Sequence, residues 1–62
     1  MPLTGKQMLK LLKNNGWIER RQEGSHHHLY KDGERLTVPV HGNLVLGNGI
    51  ERKILKDAGL KK

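Results

Sequence analysis

Apolar residues recur along this chain with two different periods, and the switches between them mark out its elements. Over residues 5–15, Met8, Leu11 and Leu12 share one helical face while Lys6, Lys10 and Lys13 point elsewhere, the spacing of an amphipathic helix. Thr4 followed by Gln7 has the spacing of a capping box at its start. Gly16 suits a left-handed position just past its end, with Trp17 placed to fold back on Leu12 in a Schellman arrangement. The far end repeats this grammar in "NGIERKILKDAGL". There Asn48 is the expected cap with Glu51 three residues on, and Ile50, Ile54, Leu55 and Ala58 form the apolar stripe. Gly59 ends that helix, with Leu60 placed to contact Leu55.

Between the helices the period drops to two. "WIERRQ", "SHHHLYK" and "ERLTVPV" read as strands. Asp32-Gly33 is the favoured pair for a type I′ hairpin turn, and Glu23-Gly24 makes a second short connection. Pro39 fits only at a strand end or on an unpaired edge. "HGNLVLGNG", residues 41–49, is the one long loop. The predicted fold is α+β in the order α-β-β-β-α: a three-stranded antiparallel sheet with two helices on one face. It makes a single domain over residues 1–62, without repeats or linkers.

Alternation also orients the sheet. In the third strand Leu36, Val38 and Val40 share one face, and that face must meet the helices. In the second strand Leu29 is the sole aliphatic residue, which turns His27 inward with it. His26, His28 and Tyr30 then point to the open face, near Thr37 and Arg35. A bulge after Gly24 would reverse this for His26.

Composition narrows what such a fold can do. The 62 residues contain no cysteine, so disulfide-stapled mini-proteins and cysteine-based zinc sites are excluded. No apolar run reaches the length of a membrane span and the N-terminus lacks a signal-peptide core, so a cytoplasmic location without membrane attachment is expected. Twelve Lys/Arg against six Asp/Glu give a formal charge of +6, which favours an anionic partner such as nucleic acid over mere solubility. Trp17 and Tyr30 are the only aromatics, too few for a platform that stacks several single-stranded bases.

Three consecutive histidines within a hairpin then require an account. His27, facing inward, reads as a satisfied core or edge histidine. Leftover tag sequence does not fit, because "GSHHH" is internal and flanked by a coherent hairpin. A metal site is one reading, since an H-x-H pair on a strand face can chelate; it needs further ligands, and His41 and Asp32 are the only neighbours available. Acid–base chemistry is another. Imidazole both accepts and releases a proton near neutral pH. RNA carries its own nucleophile in the 2′-OH, so cleavage needs a base, an acid and a cation for the phosphate, with no metal or cofactor. Arg20, Arg21, Lys31 and Arg35 are the nearest candidates to hold that phosphate, against a reading of each as a solvated rim charge.

At this point the chain resembles a known family. "NNGW", "RRQEGSHHHLYK", "TVPVHGN" and "ILKDAGL", in this order from about Lys6 to Leu60, are similar to the HicA toxins of HicA–HicB toxin–antitoxin pairs. The resemblance implies a fold like that of double-stranded-RNA-binding domains, and a metal-independent mRNA interferase activity that inhibits translation until a HicB-type antitoxin binds. It implies His26, directly after Gly24 and Ser25, as the catalytic histidine, with Gly24 and Ser25 the rest of the motif. His27 and His28 match variable positions, and His28 is retained only as a supporting neighbour on the same face. The chain departs from the family in having Ile50 after Gly49, where a hydroxyl residue is usual.

Two functions follow for testing. One is an endoribonuclease with His26 as general acid and base; the other is a non-catalytic RNA-binding module that blocks translation by occupancy. Only the first requires His26 for growth arrest. The expected partners are mRNA and an acidic antitoxin covering the open face, with DNA reached only through that antitoxin.

Overall fold

The computed structural model describes residues 2–60; the expected domain of 1–62 thus has its extreme ends outside the described residues. Its elements are α1 (Gly5–Asn14), β1 (Ile18–Glu23), β2 (His26–Lys31), β3 (Glu34–Pro39) and α2 (Asn48–Asp57). The three strands form one antiparallel sheet in the order β1-β2-β3. This is the predicted α-β-β-β-α arrangement. Among the described residues, no helix is long and apolar enough to cross a membrane.

Local signals account for most boundaries. The Thr4 hydroxyl accepts from the Gln7 N–H while the Gln7 side chain accepts from the Thr4 N–H, which closes the capping box. Past α1, Gly16 adopts φ +95°, and the Trp17 and Gly16 N–H groups donate to the carbonyls of Leu12 and Lys13. That is the expected Schellman motif, and it swings Trp17 into the core. Asp32 and Gly33 both take positive φ, 51° and 81°, as a type I′ turn requires. Pro39 ends β3, which is an edge strand.

The second helix starts differently from expectation. Gly47 is its cap and Asn48 its first helical residue, and among the described residues no side chain caps it. Glu51 is pulled elsewhere: its carboxylate accepts from the Leu3 N–H at 2.8 Å, fastening α2 to the segment before α1. The stripe is also narrower than predicted. Ile54 is buried and Leu55 and Ala58 pack against the core, but Ile50 is 48 % exposed at the helix mouth.

The core lies between the sheet's inner face and the helices. Leu29, Leu36 and Val38 from the strands meet Met8, Leu9 and Leu12 of α1, Ile54 of α2, Trp17, and Leu46 from the long loop. Each such side chain, fully removed from water, contributes about 1.5–3 kcal/mol. Leu9 and Leu46 lie outside the sequence prediction; Leu46 is drawn in because its N–H donates to the Leu3 carbonyl and Val45 bridges Thr4. Both helices rest on β3 and hardly on each other. The N-terminus of α1 approaches closely because Gly5 has no side chain: a Cβ there would stand 2.5 Å from the Pro39 carbonyl oxygen.

Candidate active site

The three histidines open the central strand, β2, and strand registry decides where each ring goes. Leu29 is fully buried and His27 lies on the same face, while His26, His28 and Tyr30 take the other. The predicted orientation therefore holds. No bulge follows Gly24. The irregularity falls instead in β1, where Glu19 pairs Leu29 but Arg21 pairs His28, leaving Arg20 as the extra residue. This shift re-aims the end of β1. Without it Gln22 would share the outer face; with it, Arg21 lies opposite His28 and Glu23 opposite His26.

His27 is tied down. Its Nδ1 lies 2.8 Å from Glu19 Oε2, and Glu19 Oε1 receives Lys13 Nζ at 3.0 Å. The hydrogen bond from His27, then that from Lys13, holds the Glu19 carboxyl below its ordinary value, more than burial raises it. This is the satisfied inner histidine expected from the pattern, although its carboxylate partner was not evident there.

His28 is also engaged, on the outer face. Nε2 lies 3.0 Å from Glu23 Oε1 and Nδ1 lies 2.9 Å from Thr37 Oγ1. An ionised carboxylate only accepts, so Nε2 donates to Glu23, while Nδ1 shares a hydrogen bond with the Thr37 hydroxyl, which can either donate or accept. Glu23 Oε2 in turn takes Arg21 Nη2 at 2.8 Å. Arg21, Glu23, His28 and Thr37 thus form one continuous chain of polar contacts across all three strands.

His26 stands apart from both. It is exposed, and among the described residues its ring has no hydrogen-bond or ion-pair partner. Glu23 faces it across β1 and Pro39 across β3. Arg21 is a diagonal neighbour, at the roughly 7–8 Å Cα separation such positions have. The backbone that carries it is fixed from behind. Gly24 turns the chain with φ +59°, and the Ser25 carbonyl accepts from the Val40 N–H at 2.7 Å, beyond the last pair of the ladder. A Cβ at Gly24 would meet nothing within 4 Å, so its glycine serves the turn and not a close approach.

The remaining sequence candidates disperse. Arg35 sits on the outer face opposite Tyr30, about 13 Å along the strand from the Pro39 position. Arg20 projects from the bulge. Lys31 belongs to the inner set, and its ammonium donates to the Asn15 carbonyl at 2.8 Å, satisfying the end of α1. Arg21 alone among the four stands next to His26, and Glu23 already neutralises it. The four cations therefore do not gather around His26. Half of the twelve Lys/Arg lie on the helices, Lys6, Lys10 and Lys13 on α1 and Arg52, Lys53 and Lys56 on α2. Glu23 is the site residue that sequence reasoning missed, because only the bulge brings it to this face. Among the described residues, no three His, Asp or Glu side chains gather as metal ligands would.

The arrangement offers one unencumbered imidazole, a carboxylate and a guanidinium within two residue pairs of it, and a second imidazole locked beside it. A comparison with curated proteins finds no match. The family model described as the HicA toxin of bacterial toxin–antitoxin systems matches residues 5–60, both helices and every strand included. With the fold, the "GSHHH" turn and the long loop all inside that match, the chain belongs to the HicA toxin family.

Proposed function

We propose that this toxin is a metal-independent endoribonuclease that cleaves mRNA, with His26 as its general acid and base and a HicB-type antitoxin as its inhibitor. In the reaction, the neutral imidazole removes the 2′-OH proton and the 2′-oxygen attacks the adjacent phosphorus. The P–O5′ bond breaks, and the departing 5′-oxygen takes a proton from imidazolium. The products are a 2′,3′-cyclic phosphate and a 5′-hydroxyl. Arg21 is the cation nearest to the phosphate under attack; a phosphate seated there competes with Glu23 for the guanidinium. His28, held by Glu23 and Thr37, keeps a polar wall beside the reacting group.

The observation that carries this reading is the freedom of His26. Of the three imidazoles on β2 it alone is exposed and, among the described residues, unbonded, so its nitrogens are available to substrate. Family membership supports the toxin role and the antitoxin. An antitoxin laid across the outer face would separate His26 from RNA. Any contact with DNA is assigned to that partner.

The test is a cleavage assay on a defined transcript in EDTA, with purified toxin and His26→Ala. The expected result is wild-type cleavage to cyclic-phosphate ends, and a loss of about 10²–10⁴-fold in the variant, the usual worth of a positioned acid–base group. Both proteins should unfold at the same urea concentration, since an exposed ring contributes little to stability. A transcript with 2′-deoxy sugars at the cut sites should survive. Cleavage by His26→Ala at the wild-type rate would remove the proposal. Stable complexes with uncut RNA and undiminished growth arrest by the variant would establish block by occupancy instead.

A further inference from the structure

Six Lys/Arg lie on the two helices, on the layer away from His26, and that layer is not a flat face. Because α1 and α2 rest on β3 more than on each other, a cleft of about 970 Å³ opens between the end of α1 and the length of α2. Its floor is aliphatic: Leu11, Leu55 and Leu60 are half-buried and pack on the core beneath. Its rim carries Arg52, Lys53 and Lys56, all exposed, and among the described residues no acidic one lines it. Those three cations fall within about 6 Å of helix axis, so carboxylates one helical turn apart on a partner can meet them together.

We infer that this cleft is the anchoring site for an acidic amphipathic helix of the antitoxin, its leucine-like side chains on the floor and its carboxylates on the rim. The inference rests on the reading that a protein antitoxin neutralises this toxin. Tight interfaces depend on apolar anchors seated in pockets and ringed by polar contacts. The outer sheet face offers only scattered apolar contacts, chiefly Ile18, Tyr30 and Pro39, whereas the cleft provides both a floor and a charged rim. RNA fits it less well, since a phosphate backbone would use the cations and gain nothing from three leucines. A second copy of the chain fits worse, because it brings its own +6 charge to a site without an acid. Affinity and inhibition are then separable: the anchor lies on one layer and the blocked ring on the other.

The experiment uses this toxin chain with a HicB-type antitoxin as the probe. Antitoxin binding and RNA cleavage are measured for wild type and for the double variant Lys53→Glu/Lys56→Glu, whose exposed side chains leave the core intact. The expected outcome is a loss of at least tenfold in antitoxin affinity, a slower association rate that no longer falls steeply with salt, and unchanged RNA cleavage. Amide shifts on titration of the labelled wild-type toxin should include Leu11, Leu55 and Leu60. Wild-type affinity in the double variant, with the antitoxin still bound, would overturn this inference and leave the partner reading standing. Failure of the antitoxin to bind wild-type toxin would remove both. A double variant that loses RNA cleavage while keeping the antitoxin would make the cleft an RNA surface and reject the inference.

Discussion

Two glycines at the mouths of the two helices should respond oppositely to one added methyl group. Gly5 is the first residue of α1 and is buried, and its Cα faces the end of β3. An alanine Cβ there would lie 2.5 Å from the Pro39 carbonyl oxygen and 2.8 Å from Val40 Cα, against the 3.4 Å at which ordinary contact begins. Both of those atoms are backbone and cannot rotate away. The helix end must therefore retreat by most of an ångström, a gap that already forfeits about a quarter to a half of each contact's dispersion energy. Overpacking of this kind costs about 1–3 kcal/mol, which outweighs the roughly 0.4–1 kcal/mol that alanine gains by restricting the unfolded chain. Gly49, the second residue of α2, is exposed with nothing within 4 Å of a Cβ and no positive φ. The same substitution there should stabilise by about 0.5–1 kcal/mol. Urea denaturation followed by circular dichroism separates the two. Gly5→Ala should lower the midpoint and Gly49→Ala raise it at equal slope, with melting temperatures moving by roughly 4–8 °C per kcal/mol for a chain of this size. The effect should reach the site as well, because Pro39 pairs His26 and Val40 holds Ser25. A Gly5→Ala protein as stable as wild type would show that α1 does not seat on β3 as described, and with it the support behind His26.

Glu19 should make stability depend on pH at the acid end. Its folded-state carboxyl titrates below the ordinary value of 4.5, chiefly through His27 and then Lys13. As pH falls, the unfolded chain takes up that proton first. The stabilisation is therefore complete above about pH 5.5 and declines below 4.5, vanishing as pH passes the folded value. Glu19→Gln should be less stable than wild type at pH 7 and lose less on acidification; parallel pH profiles of the two proteins would contradict this. Leu29→Ala, at the fully buried centre of the sheet, should cost about 2–5 kcal/mol, leaving little native protein in a chain this small. Retention of most of the wild-type urea midpoint would mean that the central strand is not the keystone of the core.

Element order, the start of α1, the helix ends and the hairpin turn were legible in the sequence because each is decided within a few residues. Thr4 and Gln7 close their box, Gly16 and Gly59 supply the left-handed endings, and Asp32-Gly33 sets the hairpin, all without long-range information. Alternation in β2 likewise sufficed to turn His26 outward, since Leu29 had to be buried and strand parity does the rest. What surrounds His26 was decided by tertiary structure. A single extra residue at Arg20 slid the end of β1 by one position, and that slip carried Glu23 and Arg21 to the outer face. Pairing against β2 fixes such a bulge, and no local preference in "IERRQE" announces it. The same holds for Lys31, whose ammonium serves the end of α1, for Glu51, drawn from capping to Leu3, and for Leu46, a loop residue made core by its bond to Leu3. Short-range torsional and capping preferences are written in neighbouring residues, whereas registry and long side-chain reach depend on which strand or terminus comes to lie alongside.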